Sequence, residues 1–396
     1  MTDGHANGLG IGWGSRGRTS IGVPGGDYNT KRNILDSLPP SFLRVRPMDP
    51  GRFRSAVRWR LTRSIQRRQY FCFRHPYFPD ADIFHFWNSV ADIRKPWVTS
   101  FEHSIPLWDT DNRRDILFGM ELARRPSCRR LIAFSQAAIN AASAYWHQYL
   151  SAAQADDLIG KTEVLLPPQR VLIRRHAVIS APPVFAFVGK EFYRKGGLET
   201  LEGLNALYEA GQRDWRAIMV GDLSSFGDYA SMTDGKARAR AVELLDKMKT
   251  HVEFRDTPVP YADVLELLRQ ADFYLLPTYA DTFGYTVLEA QACGAVAVTT
   301  DIGSLPEVVT PETGVCIPLA ADLKDERLPQ RNTMEIKRAF ADRVHDALKK
   351  CLRLTEEARD GLQEAATEQL RRNHCPGNHS RRLGQIYHDA LNSFRA

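Results

Sequence analysis

Two acids with seven residues between them, Asp281 and Glu289, are the side chains whose types and spacing most plainly suggest chemistry. They lie in the stretch ADTFGYTVLEAQACG, between two apolar runs. The first run, Phe273 to Leu276, is closed by Pro277 and reads as a buried strand. Thr278 to Phe283 reads as a polar loop, and Thr286 to Cys293 as a helix stopped at Gly294. Ala295 to Thr299 reads as a second buried strand, after which Gly303, Ser304 and Pro306 open another helix. Strand, loop, helix, strand is one unit of a parallel α/β sheet, and ligands of such sheets sit beyond the carboxyl ends of the strands. Gly284 would bare backbone N–H groups to a phosphate at the helix start. The carboxylates of Asp281 and Glu289 would accept from hydroxyl groups. Phosphate donors beside hydroxyl acceptors fit a nucleotide sugar. Taken singly, Glu289 fits a solvated helix position equally well, and Asp281 a turn.

A second cluster lies upstream. Val184 to Val188 reads as a strand ended by Gly189. Lys190-Glu-Phe-Tyr-Arg-Lys195-Gly196-Gly197 follows, then a helix from Leu198. A glycine-lined loop with two lysines leading into a helix is an anion site, with lysine acting as a point charge. Away from that setting, such a pair reads as solvated surface.

The rest of the chain must supply the elements that position these groups. Asp82 to Trp87, Trp97 to Phe101, Arg130 to Ser135 and Glu163 to Pro167 read as strands of a first parallel sheet, with helices between them. His85 falls at the first of these strand ends, and Glu102-His103 just past the second. Gly25-Gly26 follows a short run, Ile21 to Val23, and precedes a helix from Asp27 to Leu38. Trp215 to Val220 and Val252 to Phe254 read as strands of a second sheet, with helices at Tyr261 to Gln270, about 333–353 and 355–372. Ser380 to Phe394 is amphipathic. Ser224 to Lys236 is polar. A G-x-G-x-x-G match at Gly12 to Gly17 has no strand before it and reads as a flexible leader. Asp80-Ala-Asp82 and Asp109-Thr-Asp111 follow no strongly apolar strand and read as turn or capping residues, not as a metal pair.

The stretch DTFGYTVLEAQACG resembles the E-P-F-G-x-x-x-x-E-A-x-A-x-G signature of family-4 glycosyltransferases, which are retaining enzymes of the GT-B fold. Here the first acid is Asp, one methylene shorter. The resemblance implies that Asp281 contacts the donor sugar and that Glu289 holds the ribose hydroxyls, with Phe283, Gly284 and Tyr285 beside the donor. Gly189-Lys190 to Lys195-Gly196 is similar to the family's G-R-x-x-x-x-K-G, whose two cations hold the donor diphosphate. Lys190 keeps the charge but not the fork of an arginine. The order of segments between 80 and 170 is similar to the family's amino-terminal domain. It implies that His103 contacts the sugar from the opposite domain and that Gly25 and Gly26 let the diphosphate approach. Where the family has Pro-Asn-Gly, this chain has Pro167-Pro168-Gln169.

The implied fold is α/β, with two Rossmann-like domains facing a cleft and a final helix crossing back onto the first domain. The expected limits are 1–178 for the acceptor-side domain, 179–375 for the nucleotide-sugar domain and 376–396 for the crossover helix. The implied reaction moves a sugar from a nucleoside diphosphate to the hydroxyl of a glycan or glycolipid, with retention. No metal or other cofactor is expected, because lysines and a helix dipole can offset the leaving-group charge. The rivals are a nucleotide-sugar epimerase of similar fold, a degenerate relative that binds a nucleotide or partner without turnover, and a plain membrane or nucleic-acid adaptor.

Charge divides the chain. Residues 1–180 hold 26 Lys and Arg against 15 Asp and Glu, and the remainder 27 against 32. Residues 44–68 hold nine arginines and one acid, Asp49. Phe53, Val57, Leu61 and Ile65 recur every four positions within that segment. The pattern suits a helix on anionic lipid, or a core helix with a solvated basic face. Nucleic acid fits less well, since aromatic residues are sparse there. No run nears the ~18 apolar residues of a membrane span. The six cysteines form no C-x-x-C pair, and the opening residues lack a charged-then-apolar leader. The expected location is cytoplasmic, peripheral on the inner face of the membrane.

Overall fold

The computed structural model describes residues 18–46, 57, 60–62, 72–74, 81–106, 112–172, 182–224, 235–256, 258–319 and 334–395. Most of the basic segment, the Gly12 to Gly17 stretch, Asp80, Asp109, Asp111 and the expected domain limit near 178 lie outside them.

The first sheet contains β1 (Thr19–Gly22), β2 (Phe42–Val45), β4 (Ile83–Trp87), β6 (Trp97–Phe101), β7 (Cys128–Ala133) and β8 (Thr162–Val164). Their order is β2-β1-β4-β6-β7-β8, every neighbouring pair is parallel, and the order reverses between β1 and β4. Two short strands, β3 (Cys72–Arg74) and β5 (Val90–Asp92), pair alongside. The second sheet contains β9 (Val184–Glu191), β10 (Arg216–Asp222), β11 (Val252–Asp256), β12 (Phe273–Leu276), β13 (Val296–Thr300) and β14 (Gly314–Ile317). It is also wholly parallel, in the order β11-β10-β9-β12-β13-β14. This is the dinucleotide-fold order, and its switch point lies between β9 and β12.

The central strands are buried on both faces, as parallel sheets covered by helices require. Asp272 fastens the start of β12: its Oδ2 accepts from the Val184 amide at 2.8 Å, and its Oδ1 pairs with buried Arg359 at 3.2 Å.

In chain order the helices are α1 (Tyr28–Thr30, continuing as a π turn over Lys31–Leu35), α2 (Arg113–Arg124), α3 (Gln136–Tyr149), α4 (Ala152–Gly160), α5 (Gly197–Glu209), α6 (Gly235–Lys247), α7 (Tyr261–Gln270), α8 (Tyr285–Cys293), α9 (Leu305–Val308), α10 (Met334–Leu352), α11 (Glu356–Asn373) and α12 (Pro376–Arg395). Leu383, Ile386, Tyr387, Ala390 and Leu391 recur on one face of α12 and pack against Ile21, Ile83, Val98 and Ile132 of the first sheet. Each large aliphatic side chain buried there contributes about 1.5–3 kcal/mol. The chain therefore crosses back onto its first domain, as expected. Among the described residues no helix is long and apolar enough to cross a membrane.

His85 belongs to this packing and not to the cleft. It is fully buried; Nδ1 meets the Tyr387 hydroxyl at 2.7 Å and Nε2 the Ser100 hydroxyl at 2.8 Å. Burial, helped by nearby His379, lowers its pKa to about 3, so the ring is neutral.

Candidate functional site

The carboxyl ends of β9 and β12 meet at the switch point of the second sheet. The strand β9 runs on through Gly189 to Glu191 instead of ending at Gly189. A side chain at Gly189 would press on Lys195 Cβ at 2.9 Å, so the missing Cβ lets the lysine lie against the strand. Gly196, at φ +79°, caps α5 where any Cβ would strike the Pro277 carbonyl. Lys190 is exposed at the strand end.

Lys195 and Asp281 form an ion pair. The other carboxylate oxygen of Asp281 accepts from the Gly284 amide at 3.0 Å and the Phe283 amide at 3.2 Å. Burial would raise this carboxyl, but Lys195, then Arg194 and the Gly284 amide, outweigh it and hold it below the usual range. The Gly284 N–H, expected to face a phosphate, is thus taken by Asp281. Gly284 has φ +80° and begins α8. Phe283, expected beside the donor, is fully buried instead and packs its ring against Tyr285 and His374.

Glu289 lies on α8 and is 3% exposed. Its Oε1 accepts from Tyr28 at 2.5 Å, Arg32 at 2.6 Å and Tyr261 at 3.1 Å. Two of these donors come from α1 in the first domain. The helix starts after Gly25, which takes φ +95°, and Gly26, where a Cβ would meet open space. Asp27 caps it, Oδ1 accepting from the Thr30 amide at 3.0 Å. One side of α1 then faces the second domain. Arg32 also donates to Gln169 at 2.5 Å and stacks over Tyr285 at 4.9 Å, while Asn33 donates to the Tyr285 hydroxyl at 3.0 Å.

Glu102 stands at the end of β6, on the same rim as partly exposed His103. Its carboxylate accepts from Asn29 of α1 at 3.2 Å, and its amide donates to Asn88 at 3.2 Å. Asn88 is held at φ +46°, the one non-glycine residue with positive φ among those described. Such strain is kept where the surroundings enforce it. Burial first, then the charge of Asp281, lifts the Glu102 carboxyl to about 7, although Thr282 and Asn88 bond it.

Lys195, Asp281, Tyr285 and Glu289 thus gather beyond the carboxyl ends of β9 and β12, with Lys190 exposed at the end of β9, while α1, which follows Gly25 and Gly26, and Glu102, which precedes His103, approach them from the first domain. Tyr28, Arg32, Tyr261 and Glu102 also belong to this group, and reading the sequence did not single them out. Only Glu102 carried a local signal, as the neighbour of His103. A further acid, Glu307, crosses between the domains: its two oxygens accept from the Ala137 and Gln136 amides at the start of α3, at 2.7 and 2.9 Å.

Residues 182–327 match the family described as glycosyl transferases group 1. Over 132 residues the chain is 29% identical to the phosphatidylinositol N-acetylglucosaminyltransferase GPI3 subunit of Saccharomyces cerevisiae. That match covers 33% of this chain but only 26% of the yeast protein's length. A glycosyltransferase structure from Rickettsia africae superposes with a TM-score of 0.60 and 14% identity, covering 95% of this chain and 99% of that one. Anabaena Alr3699/HepE, solved in complex with UDP, superposes with a TM-score of 0.58 and 11% identity, covering 93% and 99%. By its fold this is a GT-B chain, and its second domain carries the match to the glycosyl transferases group 1.

Proposed function

We propose that this protein is a retaining glycosyltransferase that moves a sugar from a nucleoside diphosphate to the hydroxyl of a glycan or glycolipid acceptor, without a divalent metal. The observation that carries this reading is the grouping of Lys190, Lys195, Asp281 and Glu289 at the β9/β12 switch point, where α/β sheets bind their ligands. Lys195 gives one hydrogen bond to Asp281 and keeps two N–H donors for a diphosphate. Exposed Lys190 and the first turn of α8 add positive potential. Asp281 orients the sugar hydroxyls and Glu289 the ribose, with His103 facing the sugar from the other side. As the sugar–phosphate bond breaks, the electron pair leaves with the diphosphate, and these cations offset its charge. The UDP complex of Anabaena HepE supports a nucleoside diphosphate as ligand, and the yeast subunit's name supports a lipid-linked acceptor. We place the reaction in the cytoplasm, with the basic segment 44–68 at an anionic membrane surface.

The test is thermal melting against a panel of nucleoside diphosphates, for the wild type and Glu289→Ala. A ligand at a hundred times its Kd should stabilise by about 2.7 kcal/mol. One nucleotide should raise the melting point, and Glu289→Ala should remove most of that shift. A folded protein that binds none of them would instead be a degenerate relative.

A further inference from the structure

Glu289 is not free to meet a ligand with both oxygens. Oε1 is saturated by three donors, whereas Oε2 accepts none among the described residues. The donors form a relay, since Arg32 Nη1 also donates to the Tyr28 hydroxyl at 2.7 Å, and that hydroxyl donates onward to Glu289. The Arg32 side chain is 12% exposed, and its other Nη is fixed by Gln169 in the segment after β8. Among the described residues, the only cation paired with Glu289 thus belongs to the other domain.

We propose that Arg32 and Tyr28 are positioning residues of the donor site: across the domain cleft they pin one oxygen of Glu289 and leave the other oxygen to accept the ribose hydroxyls. The inference rests on the donor-site reading above and deepens it. Ribose recognition then requires a closed cleft, because two of the three groups that hold the recognising acid sit on α1. A carboxylate this buried is costly to leave unpaired, and the guanidinium offsets that cost.

The experiment is calorimetric titration of the full chain at pH 8 with UDP, GDP and ADP, and with the 2′-deoxy form of the one that binds. The proteins are the wild type, Arg32→Ala, Arg32→Lys, Tyr28→Phe and Glu289→Ala. For the nucleotide that binds, Arg32→Ala should weaken Kd about ten-fold and lose most of the wild type's preference for it over its 2′-deoxy form. Arg32→Lys should restore part of the affinity and of the preference, and Tyr28→Phe should cost a few-fold. A general loosening of the fold would weaken both forms alike and keep the preference, and that result overturns the proposal. Binding as tight as wild type in Arg32→Ala, or tighter, also overturns it, because α1 would then be a bystander or a competitor for the acid. If Arg32→Ala does not fold, Arg32→Lys and Tyr28→Phe carry the test, and unchanged affinity and ribose preference in both overturn it. Binding unchanged in Glu289→Ala, or absent from the folded wild type, overturns the donor-site reading itself.

Discussion

Lys195 holds Asp281 at the mouth between β9 and β12, and neither side chain is more than 18% exposed. Removing the lysine leaves the carboxylate with two amide hydrogen bonds and the more distant charge of Arg194. Lys195→Ala should therefore cost about 3 kcal/mol of stability as well as transfer activity, measured by chemical denaturation and by turnover. The carboxyl is held below its ordinary range, so its contribution is present above the unfolded value and is lost as the pH falls through the folded one. Asp281→Asn should flatten the acid side of the stability curve. An unchanged curve would mean that the pair does not stabilise the fold.

Glu102 is predicted to mark the pH dependence of turnover. Its carboxyl changes charge near pH 7 while facing Asp281 across the cleft. Glu102→Gln should remove an ionisation near neutrality from the kcat profile and reduce kcat about ten-fold or more. Superimposable profiles for variant and wild type would take Glu102 out of the site.

Glu199 gives a prediction about stability alone. It is 2% exposed at the start of α5; burial raises it to about 7, although the Tyr279 hydroxyl donates to it at 2.7 Å. The folded state keeps a proton that the unfolded chain releases, so stability falls as the pH rises from about 4.5 to about 7. Glu199→Gln should remove this decline, which is worth on the order of 3 kcal/mol. Urea denaturation at both ends of the window measures it, and a variant that still declines as steeply contradicts the assignment.

For His85 the sign is opposite. The ring is neutral in the fold and charges more readily in the unfolded chain, so its contribution is present above pH 6.5 and is lost below it. His85→Ala should cost about 2–4 kcal/mol at pH 7.5, because Tyr387 and Ser100 are left unbonded in the core. Nucleotide affinity should barely change. A variant with wild-type stability and impaired donor binding would return His85 to the cleft.

The second domain was the more legible. Strands buried on both faces show as unbroken apolar runs, and Gly189, Gly196, Gly284 and Gly294 punctuate them. Phe273 to Leu276 and Tyr261 to Gln270 fall where the sequence places them. The strands β2, β5 and β14 went unread because each is three or four residues long and none is an unbroken run of large apolar side chains like that of β12. Phe283 lies in the same motif, and its burial against Tyr285 and His374 was not legible there. The partners of Glu289 had no local signature at all. Arg32 lies 257 positions away, and only the closing of one domain on the other brings it near. Glu102 stood in view beside His103, but its carboxylate is held by Asn29 of α1, 73 positions away, which no local pattern announces.

The crossing of α12 also dictates a timetable. Residues 376–395 leave the ribosome after the whole of the sheet they cover. Until then Ile21, Ile83, Val98 and Ile132 present an uncovered apolar face while the entire second domain is being made. The first domain to be synthesised is therefore the later one to be finished. Its nascent sheet is the part of this molecule with most call on a chaperone, and contacts spanning this much sequence make its completion a slow step.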